Sequence, residues 1–184
     1  VTDRVYHVLF LCTGNSARSI FAEVLLNSLG RGRFRGSSAG SHPTGSVHAL
    51  ALEKLHREGL PTVGLRSKIW DEFMRPDAPP LDFVITVCDK AAGEVCPAWP
   101  GQPITAHWGV PDPAAVQGPE NEKKLAFAQA FAVLQRRISL FTNLHPESLE
   151  RFALEEKVRA IGRLQVEPIR DETDFVPFSP RRNS

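Results

Sequence analysis

Cys12 and Arg18, with five residues between them in Cys12-Thr13-Gly14-Asn15-Ser16-Ala17-Arg18-Ser19, are the residues whose types and spacing point most directly to chemistry. They sit between a continuously apolar stretch, residues 5–11, and residues 20–29, where Ile20, Phe21, Val24, Leu25 and Leu29 recur at helical spacing before Gly30. A strand-to-helix turn at this point can aim the backbone N–H groups of Thr13, Gly14, Asn15, Ser16 and Ala17 at one spot. The helix N-terminus adds partial positive charge, and Arg18 offers a planar fork to a tetrahedral oxyanion. The same field is expected to lower the pKa of Cys12 and favour its reactive thiolate. The plainer alternative is a buried cysteine closing a strand, with Gly14 and Asn15 making an ordinary turn. The grouping of Gly, Asn, Arg and Ser around one thiol favours the oxyanion pocket.

The elements that would position this turn can be read from the hydrophobic pattern. Residues 34–39 form a short second strand, and Val47, Leu50, Ala51 and Leu55 mark a helix ending near Gly59 and Pro61. Residues 68–74 make a short helix before a proline-rich loop. Phe83, Val84, Ile85 and Val87 lie in a third strand over residues 81–88, and residues 104–108 give a weaker fourth. Gly109-Val110-Pro111-Asp112-Pro113 must be a loop, since proline interrupts it twice. A long helix follows from Glu120 to about Asn143, with Phe127, Phe131, Leu134, Ile138 and Phe141 as its core face. Alternating strands and helices predict an α/β fold, a doubly wound four-stranded parallel sheet with helices on both faces and ligand loops at the carboxyl ends of the strands. Cys12, Cys88 and Asp112 then fall on the same edge.

Length and composition narrow the function further. The 184 residues suit one domain, residues 1–145, with an appendage at residues 146–184: a helix, then a loose tail. Leu149, Phe152, Val158, Ile161 and Leu164 are expected to line one side of that helix, which would serve as a cap on the domain or as the contact face of a homodimer. The formal net charge of +1 gives no global field for nucleic acid or an anionic membrane, so affinity for anions must be local. No apolar run approaches a membrane span and the first residues lack the plan of a secretory signal, which makes the cytoplasm the expected location. Three cysteines, Cys12, Cys88 and Cys96, argue against a disulfide framework, and with no histidine at matching spacing they make no zinc pattern.

Cys12 to Ser19 resembles the phosphate loop of the low-molecular-weight protein tyrosine phosphatases and of the thioredoxin-coupled arsenate reductases that share their fold, and the Thr-Gly-Asn-Ser wording is closer to the reductases. The resemblance spans residues 5–143. His107-Trp108-Gly109-Val110-Pro111-Asp112-Pro113 is similar to the family's general-acid loop, and Val84-Ile85-Thr86-Val87-Cys88-Asp89, continuing to Cys96-Pro97, to the reductases' redox segment. Ala17 stands where many relatives have a second loop cysteine, and Ala114-Ala115-Val116 stand where the phosphatases often carry a tyrosine pair. Some reductases of the family hold a potassium ion behind the loop. If Ser67-Lys68 aligns with their serine-aspartate pair, the Lys68 ammonium would replace the ion, pairing with Glu23 and the Asn15 region.

The resemblance implies a route for arsenate reduction. The Cys12 thiolate, its sulfur hydrogen-bonded by Ser19, attacks arsenic while Asp112 protonates the departing oxygen. Cys88 then attacks Cys12 and releases arsenite, and Cys96 attacks Cys88. The segment 89–97 must bend or unwind for this, and Ala91, Ala92 and Gly93 are expected to bury little, which predicts a mobile loop. No bound cofactor is expected; thioredoxin, or another thiol reductant, would supply electrons from outside. Trp99 and Trp108 are assigned to packing, Trp108 also to shielding the pocket, and the histidines have no catalytic role. The competing readings are a phosphatase using Cys12, Arg18 and Asp112 on phosphate monoesters, and a non-enzymatic redox sensor or oxyanion-binding module.

Overall fold

A computed structural model describes residues 3–94 and 97–171. Its centre is the parallel sheet, in the order β2-β1-β3-β4, formed by β1 (Tyr6–Cys12), β2 (Phe34–Gly40), β3 (Phe83–Thr86) and β4 (Ile104–His107). The register pairs Cys12 with Gly40, Leu11 with Thr86 and Thr86 with His107, so the loops leaving β1, β3 and β4 open on one edge. Alternation along β1 divides the core. Val8, Phe10 and Cys12 face a cluster that holds the buried side chains of α1 (Arg18–Leu29), α2 (Ala49–Arg57), α4 (Glu120–Thr142) and α5 (Arg151–Arg163). Leu9 and Leu11 face a thinner cover of Trp99 and the 3-10 turn Trp70–Phe73.

The long helix α4 forms as its pattern requires: Phe127, Phe131, Leu134, Ile138 and Phe141 are all buried. Phe21 of α1 meets Phe131 edge to face at 5.4 Å, fixing α1, and with it the Cys12 loop, against α4. The helix expected over residues 68–74 shrinks to the 3-10 turn Trp70–Phe73. Lys68 cannot join it, because its N–H donates to Asn15 Oδ1 and its carbonyl accepts from the Gly40 N–H, holding this stretch extended beside β2.

In α5 the buried residues are Leu154, Val158 and Ile161, at i, i+4 and i+7. Phe152, expected on that face, is 76% exposed, and Leu164 is also exposed. Phe152 lies two residues from Leu154, most of the way round to the opposite side of the helix. The last turn of α5 rests directly on β4, where a Cβ on Gly162 would come within 2.1 Å of the His107 carbonyl oxygen. Trp108 belongs to this contact. Its indole N–H donates to the Val158 carbonyl at 2.9 Å and its ring packs on Phe10 and Phe141, so it supports α5 and does not shield the pocket. No helix among the described residues is long and apolar enough to cross a membrane.

The segment after Cys88 begins as a short helix, α3 (Asp89–Gly93), in which Ala91, expected to bury little, is 1% exposed. Cys88 caps it by accepting from the Ala91 N–H at 3.3 Å. Cys96 lies outside the described residues.

Candidate active site

The Cys12 loop is held from outside by its carbonyls. Those of Thr13, Gly14 and Ser16 accept from the N–H groups of His42, Thr44 and His48 at 2.9, 3.0 and 2.9 Å, and Gly14 also accepts from Ser67 Oγ. Turning the carbonyls outward turns the peptide N–H groups inward, and the Asn15 N–H donates to the Cys12 sulfur. Asn15 itself adopts a left-handed conformation, φ 44°. Gly40 makes the fit possible: a Cβ there would lie 2.4 Å from the Thr13 carbonyl oxygen. Ala17, at the N-cap of α1, offers no side chain to the first-turn donors, which leaves them for a ligand.

Behind the loop runs a buried polar chain. Asn15 Nδ2 donates to Ser19 Oγ at 2.9 Å and to Ser38 Oγ at 3.0 Å, and Ser38 Oγ donates to Glu23 Oε2. The Lys68 ammonium stands 3.6 Å from Glu23 Oε2 and 3.4 Å from Ser38 Oγ, with only 9% of its side chain exposed. Burial pushes its pKa down, against the pull of Glu23. Ser19, expected to hydrogen-bond the Cys12 sulfur, accepts from the Asn15 side chain in the loop four residues before it, and so supports the loop's shape from behind.

In front of the loop, Cys12, Thr13, Gly14, Ser16, Ala17 and Arg18 share a cavity of about 510 Å³ with Cys88 and Asp112. Arg18 Nη1 donates to the Val110 carbonyl at 2.9 Å, and Nη2 stands 3.4 Å from Asp112 Oδ2. Asp112 Oδ1 accepts from the Ala114 N–H at 3.1 Å, the cap that aims this carboxylate. A cavity with a guanidinium, inward amides and a carboxyl group can bind a tetrahedral oxyanion and protonate what leaves it.

The two described thiols form one unit. Cys12 hydrogen-bonds Cys88, and that bond, then burial, push the Cys12 pKa up, against Arg18 and the Asn15 amide. The Cys88 thiol is held down to about 5, first by the bond from Cys12, then, against burial, by the Ala91 N–H and Thr13. The lowered pKa expected of Cys12 therefore belongs to Cys88. The loop's field acts on Cys12, but the sulfur nearest to it is a better acceptor than donor.

Several side-chain contributions escaped the sequence. The hydroxyl of Thr13, a residue expected to serve only through its backbone, lies 3.6 Å from Cys88 Sγ and 3.4 Å from Glu94 Oε1, and Glu94 Oε2 is buried without a partner. Thr86 Oγ1 meets His107 Nδ1, and His107 Nε2 meets Asp89 Oδ1, each at 2.8 Å, tying the start of α3 to β4. These residues come from four separate segments and share no spacing that would have revealed them. Among the described residues no group of three or more His, Cys, Asp or Glu side chains is placed to hold a metal ion.

The model of the family "low molecular weight phosphotyrosine protein phosphatase" matches residues 7–153. An arsenate reductase of Halalkalibacterium halodurans is 34% identical over 134 residues, covering 73% of this chain and 93% of that protein. Among solved structures, an arsenate reductase from Archaeoglobus fulgidus superposes with a TM-score of 0.60 at 24% identity, over 74% of this chain and 99% of that one. A thioredoxin-dependent arsenate reductase of Corynebacterium glutamicum does so with a TM-score of 0.52 at 28% identity, over 73% of this chain and 61% of that one.

Proposed function

The chain belongs to the low-molecular-weight phosphotyrosine protein phosphatase family, and from that premise we propose that it reduces arsenate to arsenite through a relay of Cys12, Cys88 and Cys96. The observation that carries this reading is a second thiol in the oxyanion cavity: Cys88 lines it together with Cys12, and each shifts the other's titration. A hydrolase needs one thiol there; a second thiol in the same cavity is what a disulfide step requires.

Arsenate enters between the loop amides and Arg18, which neutralise its charge. The proton that Cys12 shares passes to Cys88, and the Cys12 thiolate attacks arsenic. The departing oxygen leaves as water after taking a proton from Asp112, which must be in its acid form when substrate arrives. Cys88, having given up its proton again, attacks the Cys12 sulfur. The S–As bond breaks with its electron pair going to arsenic, so As(V) leaves as As(III) and a Cys12–Cys88 disulfide remains. Cys96 attacks Cys88, Cys12 departs as thiolate, and the disulfide moves to Cys88–Cys96. A dithiol reductant, thioredoxin by analogy with the Corynebacterium glutamicum protein's name, returns both to thiols. In this reading Lys68, paired with Glu23, takes the place of a cation behind the loop.

A second reading is hydrolysis of a phosphate monoester. The cavity of about 510 Å³ is larger than an inorganic oxyanion needs and has room for a leaving group. Arsenite production is measured with thioredoxin, thioredoxin reductase and NADPH for the native protein and Cys96→Ser. The relay predicts multiple turnover for the first and a single turnover for the second. Continued multiple turnover in Cys96→Ser would sink the relay. No arsenite, with rapid aryl phosphate hydrolysis indifferent to Cys88→Ser, would make the protein a phosphatase.

A further inference from the structure

Behind the Asp112 loop lies a second cavity, of about 660 Å³, walled by that loop, by α4 and by residues 162–166. Arg137 lines it and is only 6% exposed, although nothing in the mechanism uses it. Arg137 Nη1 donates to the Gly109 carbonyl at 3.0 Å, while Nε is buried with no hydrogen-bond partner. Among the described residues no carboxylate pairs with this guanidinium. A buried cation with an idle donor is costly, and natural proteins rarely leave one without a partner. Desolvation pushes its pKa down, as an uncompensated burial should.

The other groups around the cavity state what would fit. Arg163 lies at the rim, and Gln165 and Gln129 supply amides, the Gln129 Oε1 already accepting from the Ile169 N–H at 2.6 Å. Asp112, the carboxylate of this wall, is turned to Arg18 on the far side of the loop. Val110, Val133, Leu164 and Val166 make the remaining surface apolar. One buried cation suits one negative charge, and apolar walls suit a hydrocarbon body; a multiply charged phosphate would leave most of these walls unused. We infer that this cavity is a binding site for a small organic carboxylate, its headgroup on Arg137 and its body against Val133 and Val166. Because Arg137 also holds the Gly109 carbonyl, three residues before Asp112, an anion on Nε shares the guanidinium that fixes the acid loop. Occupancy should therefore change turnover. That consequence rests on the proposed function, while binding itself does not.

The test uses octanoate as probe, with octanamide as its uncharged counterpart, on the full chain by isothermal titration. One saturable octanoate site with Kd of about 1 mM or tighter is expected, and octanamide should bind at least about tenfold more weakly. Arg137→Met should weaken octanoate by a similar factor. If that variant melts early, Val133→Phe, which fills the cavity and leaves Arg137 in place, must also abolish binding. Excess inorganic phosphate should not displace the probe. Absence of saturable binding up to about 10 mM, equal affinity for octanamide, binding unchanged in Val133→Phe, or displacement by phosphate would each overturn the assignment. Arsenate turnover with and without octanoate reads the coupling separately.

Discussion

Replacing Cys12 by alanine removes the hydrogen bond that is the largest influence holding the Cys88 thiol down to about 5, against an ordinary value of 9.0. The whole displacement is about four pK units, or roughly 5 kcal/mol in favour of the Cys88 thiolate. The Ala91 N–H and Thr13 retain part of it, so in Cys12→Ala the Cys88 pKa should move up toward the ordinary thiol value without reaching it. Ultraviolet thiolate absorbance, followed from acid to alkaline pH, reads the change directly. The native protein should show one thiolate forming near pH 5 and no second one through neutrality. In Cys12→Ala the midpoint should rise clearly, since the largest cause of the depression is gone. In Cys88→Ala the Cys12 thiol, freed of the contact that raises it most, should titrate lower under Arg18 and the Asn15 amide.

Folding stability should report the same proton. Cys88 is depressed in the fold, so its contribution is present above the ordinary thiol pKa and is lost as pH falls through about 5. Cys12 is raised, so its contribution is present below the ordinary value and is lost as pH climbs beyond it. Between about pH 5 and 8.5 the folded pair holds one proton fewer than the unfolded chain. The free energy of unfolding should rise there by up to about 1.4 kcal/mol per pH unit, and the slope should flatten in Cys12→Ala. A native protein with no thiolate absorbance below pH 8, or a Cys12→Ala midpoint still near 5, would refute the shared-proton reasoning.

Three other outcomes follow from the same geometry. Lys68→Met should cost about 2 kcal/mol by leaving Glu23 unpaired, and adding Glu23→Gln should recover much of it; the native melting temperature should respond alike to potassium and sodium chloride, and a potassium-specific rise would remove Lys68 from the cation's role. Gly40→Ala should destabilise by about 1–3 kcal/mol, since its Cβ would press on the Thr13 carbonyl, lowering the melting temperature by several degrees and loosening oxyanion binding with it. Asp112→Asn keeps the cap on Ala114 but cannot give up a proton, so arsenate turnover should fall by about 10² or more with little change in phosphate affinity; a small loss of turnover would take the acid role away.

What the sequence revealed and what it hid divide along a physical line. Apolar periodicity reports burial against a neighbour, so α4 and the four strands were legible within a residue or two, and with them the edge on which Cys12, Cys88 and Asp112 meet. Phe152 was misplaced because a periodic pattern gives the period more firmly than the phase: Leu154, absent from the expected face, sets where α5 lies on the sheet. Residues 68–74 carry a helix-like composition, but the Lys68 backbone is already committed to Asn15 and Gly40, a tertiary demand that no local window contains. The same limit explains the thiols. The loop amides and an arginine beside Cys12 argue for a low pKa, and Arg18 and the Asn15 N–H do act in that direction. What decides the outcome is Cys88, seventy-six positions away in the chain, which brings its own amide and hydroxyl donors and takes the charge. In the proposed relay the reactivity of Cys12 is therefore a property of the pair: the shared proton must pass to Cys88 before a thiolate at Cys12 can attack.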